Sequence, residues 1–194
     1  ALSVLAGHAY PAGLKLKANG GMLGDDAAHP DAVVVPNGGA SLIYLPGSNA
    51  KALAGDIVNF LAGQDYVSGI FVNDRLGKVP GALAMSDVNL IGSAKTPVPD
   101  IYVNFRTFLG DCGTLQCARG VYGGAVGLGS HGSLSRAETR NFMAAIGPDF
   151  KGGYADPAPI SNADIAPTLA HITGIELGGK GTLKGRVISE ALKG

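Results

Sequence analysis

Histidine is the commonest protein metal ligand and can transfer protons near neutral pH, so the four histidines are the first candidates for chemistry. His131 differs from the others because it lies in the glycine-rich run GVYGGAVGLGSHGSLS, where the flanking glycines allow a close backbone approach. A loop histidine placed in this way can meet a metal ion or an anion. It can equally be a structural residue that is hydrogen-bonded within its loop.

The other three histidines have weaker sequence contexts. His8 and His29 lie in predicted loops, and Asp25 precedes His29 by four residues, a spacing that converges on one metal only in a helix. Glycine and proline flank this pair and no third ligand is evident, so a solvated loop is favoured. His171 lies in a predicted helix, where we expect a half-buried structural side chain.

The two cysteines, Cys112 and Cys117, are close together in the segment GDCGTLQCARG. A local disulfide is the favoured interpretation, because the intervening Gly113 makes a tight closed loop reasonable. The alternative, a metal site, would need two further ligands at zinc-like spacing, and none is nearby. A disulfide predicts an oxidising compartment, so the protein is expected to be periplasmic or secreted.

The composition excludes several classes of function. Fifteen Lys and Arg residues balance fifteen Asp and Glu residues and no run of Lys or Arg occurs, so nucleic acid is disfavoured as a partner. No apolar stretch has the length of a membrane span. The chain also lacks the phosphate-binding P-loop motif and the nucleophile elbow of the serine hydrolases.

Apolar runs and turn residues predict the strands that must position these side chains. Residues 31–46 form two runs around Pro-Asn-Gly-Gly, which is typical of a hairpin. Further strands are predicted at residues 67–74 and 101–108, with a short one around Ala82–Met85.

Apolar periodicity and capping residues predict three helices, at residues 49–62, 133–148 and 164–173. In the second helix, Ser135 and Glu138 have the spacing of a capping box. Its apolar stripe consists of Thr139, Phe142, Met143 and Ile146. Strands interleaved with helices indicate an α/β fold, and nothing divides the chain, so residues 1–194 are expected to form a single domain.

The block from Gly129 to Ile175 contains an ordered series of motifs. A G-x-H-G loop is followed by a predicted helix ending in G-P-x-F-K, a proline-rich stretch, and N-x-D-I-x-P-T-L with its predicted helix and a closing Gly-Ile. In this order the motifs resemble the C-terminal part of the alkaline phosphatase superfamily, most closely its type I phosphodiesterase/nucleotide pyrophosphatase branch. The resemblance covers about a quarter of the chain.

The resemblance implies a fold, an activity and one site residue. The fold would be the C-terminal part of an alkaline-phosphatase-like mixed sheet with flanking helices. The activity would be metal-dependent hydrolysis of phosphate esters, with two divalent metal ions, usually zinc, and a Thr or Ser nucleophile. The G-x-H-G histidine is the last metal ligand in that family, so the role falls on His131.

The remaining motifs of the family are missing here, since no Asp-His-Gly triplet occurs in the chain. We therefore expect the C-terminal portion of a longer phosphohydrolase, whose N-terminal half supplies the nucleophile and the other ligands. The substrate would be a small-molecule phosphate ester. This chain alone would be inactive, and it could lack both bound metal ions. The alternative is a non-catalytic binding or structural module of the same lineage.

Overall fold

The computed structural model describes residues 5, 18–19, 22–91, 97–111, 118–121, 131–139, 142–178 and 185–194. The chain divides into two compact units, Ala1–Asn141 and Phe142–Gly194. The described residues contain both strands, most of them in one mixed sheet, and α-helices, so the predicted α/β class is confirmed. The assignment of residues 1–194 to one domain stays a prediction.

A mixed sheet forms the centre of the first unit. Within its described residues, seven strands follow the spatial order β1-β2-β3-β4-β7-β5-β6. Neighbours are antiparallel except for the parallel pair β5 and β6. The strands are β1 (Ala18–Asn19), β2 (Met22–Leu23), β3 (Ala32–Asn37), β4 (Ala40–Tyr44), β5 (Val67–Val72), β6 (Leu83–Ala84) and β7 (Ile101–Phe105). The alkaline-phosphatase-like arrangement of this sheet stays a prediction.

The predicted hairpin is confirmed, because β3 and β4 pair from Val33 with Tyr44 to Asn37 with Ala40. The turn is made by Gly38 and Gly39, and Gly38 has a φ of 60°, which favours glycine.

A second, two-stranded sheet consists of β8 (Thr107–Leu109) and β9 (Ala118–Gly120), which pair antiparallel. The strand predicted at residues 101–108 is thus interrupted at Arg106. Cys112 and Cys117 belong to the connection between β8 and β9 and lie outside the described residues, so their disulfide stays a prediction.

Helix α1 (Ala50–Ala62) belongs to the core of the first unit. Its apolar side chains recur at helical spacing and are buried in one cluster with sheet residues such as Ile43, Val72 and Val103. The buried helix residues are Ala50, Leu53, Ala54, Ile57, Val58 and Leu61. The helix ends at Gly63 as predicted, but the N-cap residue Asn49 makes no side-chain capping bond.

Strand β7 lies between β4 and β5 and sends alternate side chains into different surroundings. Ile101, Val103 and Phe105 belong to the core cluster that contains α1. Tyr102 belongs to a separate small cluster with Ala40, Phe71 and Met85. Since strand side chains alternate, Asn104 shares the face of Tyr102.

The helix predicted over residues 133–148 is wrong in its length. Helix α2 spans Arg136–Thr139, and residues 142–146 are not helical. Phe142 is 92% exposed and Ile146 is 99% exposed, so these two members of the predicted apolar stripe are not packed against the described residues. A short helix is only marginally stable without such packing.

The second unit contains helix α3 (Ile165–Thr173), which ends at Gly174 in the left-handed conformation, as predicted. Asp164 does not cap α3 with its side chain. Its carboxylate instead accepts hydrogen bonds from the main-chain N–H groups of Ser161 (2.8 Å) and Arg186 (2.9 Å). Thr168 accepts a hydrogen bond from the Ile188 N–H (3.0 Å), so residues 186–188 are fixed to the start of α3.

Candidate functional site

His131 is exposed and lies at the edge of the sheet where β3 and β7 end. Its carbonyl oxygen accepts a hydrogen bond of 2.8 Å from the N–H of Gly39, in the turn between β3 and β4. The carbonyl oxygen of Gly39 in turn accepts a hydrogen bond from the N–H of Phe105, the last residue of β7. The backbone at His131 is therefore tied to two strand ends of the first unit.

Two side chains of β7 bind the residues that follow His131. The Tyr102 hydroxyl donates a hydrogen bond to the carbonyl oxygen of Gly132. The Leu134 N–H donates to Oδ1 of Asn104 at 2.7 Å. Burial, with a contribution from the nearby Glu138 carboxylate, raises the pKa of Tyr102, so its hydroxyl remains a proton donor at neutral pH.

Glycine permits the close approach between this loop and the hairpin turn. Gly132 has a φ of 87°, and a Cβ atom on it would overlap the carbonyl oxygen of Asn37. A Cβ atom on Gly39 would lie 2.6 Å from the Cβ of Ser133, which real side chains do not tolerate. Gly132 and Gly39 therefore allow the main chain at His131 to lie close to the hairpin turn, as the glycine-rich sequence predicts.

The capping box predicted at the start of α2 is wrong in its bonds, because the Ser135 N–H donates to the Ser133 hydroxyl at 3.0 Å and not to the Glu138 carboxylate. The Ser135 hydroxyl contacts Oε2 of Glu138 at 3.3 Å, and the Glu138 N–H donates to the Ser135 carbonyl at 3.0 Å. Ser135 also shares a hydrogen bond with the Thr107 hydroxyl of β8. The loop is therefore anchored at both ends, by the hairpin turn before Gly132 and by β8 at Ser135.

The hydrogen bonds of His131 to described residues involve its main chain. Toward the described residues its imidazole makes no hydrogen bond, so within that part of the structure it is available as a metal ligand. Within the described part of the chain, no group of three or more His, Cys, Asp and Glu side chains could hold a metal ion. His131 fits the role of one ligand, and a complete site would need ligands from elsewhere.

The other predicted positions are separate from this loop. Nδ1 of His29 lies 2.9 Å from Oδ2 of Asp26, and this contact is the main cause that lowers the pKa of Asp26. Both side chains are exposed, which agrees with a solvated loop. His171 is exposed on α3 and not half-buried as expected. His8 lies outside the described residues.

Sequence reasoning missed Tyr102 and Asn104, which hold the candidate loop. Both are buried, with exposures of 7% and 4%. The sequence does carry a signal, because IYVNF places two polar side chains two residues apart in an otherwise apolar strand. Residues two apart in a strand lie on the same face, and buried polar side chains are normally hydrogen-bonded. The pattern therefore predicts that another polar group of the protein covers this face of the strand.

No family model, characterised protein or solved structure matches this chain. Among the described residues, no helix is long and apolar enough to cross a membrane.

Proposed function

We propose that this chain is the C-terminal portion of a metal-dependent phosphohydrolase and that His131 supplies one ligand to a divalent metal ion, expected to be zinc. The observation that carries the proposal is the placement of His131. Its imidazole is exposed, while the backbone of residues 131–134 is fixed by hydrogen bonds with Gly39, Tyr102 and Asn104. An imidazole on a fixed loop suits metal binding, which requires exact ligand geometry.

The motif order from Gly129 to Ile175 supports the same proposal and supplies the reaction class. Two metal ions in such an enzyme stabilise the attacking and leaving oxygens of a phosphate ester. A catalytic zinc needs about three protein ligands, so His131 alone is insufficient. We therefore assign the other ligands and the nucleophile to the N-terminal half of the same enzyme, with the sheet as part of an alkaline-phosphatase-like fold.

In this proposal the described residues orient a ligand and perform no bond breaking themselves. Gly39 and Tyr102 fix the carbonyl groups of His131 and Gly132, so the main chain that carries the imidazole is held at the sheet edge. The substrate is a small phosphate ester. The proposed location is the periplasm or the exterior, which depends on the disulfide between Cys112 and Cys117.

The test uses the complete reading frame that encodes this chain, with bis(p-nitrophenyl) phosphate as substrate and zinc content measured on the purified protein. We expect zinc-dependent hydrolysis that EDTA abolishes and zinc restores. His131→Ala should lower kcat/KM by roughly 100-fold or more and lower the zinc content. His171→Ala is the matched control, because His171 is an exposed histidine of the other unit and should leave both values unchanged.

Three outcomes would contradict the proposal. Unchanged zinc content and activity in His131→Ala would remove His131 from the site. Metal-dependent turnover by the isolated 194-residue chain would show that the other ligands are within it. A complete protein with neither zinc nor hydrolytic activity would instead support the non-catalytic module.

A further inference from the structure

We propose that Tyr102 and Asn104 are positioning residues that fix the loop carrying His131. The inference rests on the proposed function for the role of His131 as a metal ligand. The hydrogen bonds from which it starts are independent of that role. Both side chains come from the central strand β7, lie two residues apart on one face, and bind consecutive parts of the same loop.

The burial of these two polar side chains requires an explanation. Asn104 and Tyr102 are almost fully buried, and burying an amide or a hydroxyl is unfavourable unless it is hydrogen-bonded. Apolar side chains would fill the same positions of a central strand at no such cost. The loop supplies the partners of the Tyr102 hydroxyl and of Asn104 Oδ1, namely the Gly132 carbonyl oxygen and the Leu134 N–H. The polar pair thus favours one loop conformation over others.

The amide of Asn104 has only one orientation available. Its Nδ2 donates to the Ser68 hydroxyl at 2.8 Å and to the Phe105 carbonyl at 3.3 Å. Ser68 itself donates to the carbonyl oxygens of Asn104 and Phe105. With Nδ2 held on this side, Oδ1 faces the N–H of Leu134. A network in which every polar group is hydrogen-bonded is rigid, so the loop at Leu134 is held in a fixed position against β7.

The hydrogen-bonded main-chain atoms of the loop belong to neighbouring residues, from His131 to Leu134. The carbonyl oxygens of His131 and Gly132 and the N–H of Leu134 are all hydrogen-bonded to the sheet or its turn. The main chain on both sides of Gly132 is therefore determined. The remaining freedom of His131 lies in its side-chain torsions, and a metal ligand so prepared loses little entropy on binding.

The first test measures amide hydrogen exchange by NMR in the 194-residue chain, together with its unfolding by urea. Tyr102→Phe removes the hydroxyl but keeps the ring, which packs edge-on against Phe71. We expect exchange at the N–H groups of Leu134 and Gly39 to be roughly fivefold to tenfold faster, with little change at the β5 amides. Tyr44→Phe is the matched control, because Tyr44 is a half-buried tyrosine of β4 outside this network.

The second test measures zinc affinity in the complete protein. Tyr102→Phe should weaken zinc binding roughly 10-fold to 100-fold, as loss of a ligand-orienting partner does, and Tyr44→Phe should not. Asn104→Leu should act like Tyr102→Phe. Asn104→Asp keeps an acceptor for the Leu134 N–H but loses the Nδ2 donor to the Phe105 carbonyl. It should therefore be less stable to urea than Asn104→Leu and yet bind zinc more tightly, an order that a purely structural role would reverse.

The outcomes separate the two proposals. Unchanged exchange at Leu134 and Gly39 in Tyr102→Phe would overturn the positioning role whatever the function is. Weaker zinc binding in His131→Ala but not in Tyr102→Phe would overturn the positioning role and leave the function standing. Faster exchange in Tyr102→Phe with zinc binding unaffected by His131→Ala would overturn the proposed function, while the fixing of the loop by Tyr102 would stand.

Discussion

Gly132 lies directly against Asn37, the last residue of β3, and a Cβ atom on Gly132 would come within 2.8 Å of the Asn37 side-chain nitrogen. The φ of 87° at Gly132 adds strain for any other residue. Gly132→Ala should therefore displace the His131 loop and lower the free energy of unfolding by about 1–3 kcal/mol. Urea unfolding measures the change. Gly152→Ala is the control, since a Cβ on Gly152 meets nothing within 4 Å.

Replacing Gly55 by alanine should stabilise the protein, in contrast to the same replacement at Gly132. Gly55 lies in the middle of α1, and a Cβ atom on it would meet nothing within 4 Å. Gly55→Ala should raise the free energy of unfolding by about 0.5–1 kcal/mol, because alanine restricts the unfolded chain and favours the helix. Thermal unfolding followed by circular dichroism measures this gain. A lower melting temperature would contradict the assignment of Gly55 to an open helix face.

Asp100, just before β7, has a buried carboxylate with two partners. It accepts a hydrogen bond from the Leu45 N–H at 2.7 Å and pairs with the Arg75 guanidinium. Asp100→Ala leaves the Leu45 N–H without its partner and should lower the free energy of unfolding by about 2–3 kcal/mol. Asp65→Ala removes an exposed carboxylate and serves as the control in the same urea titration. Equal stability of the two variants would contradict a structural role for Asp100.

Glu190 should make the second unit sensitive to acid. The hydrogen-bonded Arg186 guanidinium lowers the pKa of Glu190 from 4.5 to about 2. At a pH between these values the unfolded chain binds more protons than the folded chain, so stability rises with pH. The contribution is fully present above about pH 4.5 and is lost as the pH falls through about 2. An NMR titration of the Glu190 carboxyl carbon should therefore have its midpoint near 2.

Two variants check the cause of that shift. Arg186→Met removes the guanidinium and should raise the Glu190 midpoint toward its ordinary value of 4.5. Glu190→Gln should flatten the dependence of stability on pH between 4.5 and 2. A Glu190 midpoint that stays near 2 in Arg186→Met would show that Arg186 is not its cause.

The disulfide between Cys112 and Cys117 is expected to close the connection between β8 and β9. Leu109 and Ala118 pair at the ends of these strands, so the connection returns to its starting point. Mass spectrometry of a non-reduced digest should find the peptide that carries both cysteines lighter by two hydrogen atoms. If both cysteines are free thiols in the protein isolated from its native source, the argument for a periplasmic or secreted location fails.

The elements that could be predicted from the sequence are those set by local pattern. The two runs around Gly38 and Gly39 predict a hairpin, because only a tight turn joins them. The spacing of Leu53, Ile57 and Leu61 predicts α1, since the helix period places them on one face. Both patterns find their apolar partners in the same unit, so local preference and packing agree.

The elements that could not be predicted depend on contacts between distant residues. Helix α2 begins directly after Ser135, but the predicted capping-box bonds are replaced by others. Helix length depends on packing of side chains such as Phe142 and Ile146, which local pattern does not reveal. The roles of Tyr102 and Asn104 depend on a loop thirty residues further along the chain. The loop position of His131 agrees with its sequence context, and its role as a ligand stays a proposal.

The position of β7 in the sheet also has a consequence for the order of folding. Both of its neighbours, β4 and β5, precede it in the chain, and in the described sheet β7 lies between them. Until Ile101–Phe105 has been synthesised, each of them has an open edge with apolar side chains, the kind of surface through which partly folded chains aggregate. We therefore expect the nascent chain to be most prone to aggregation before β7 has been synthesised and has paired with β4 and β5.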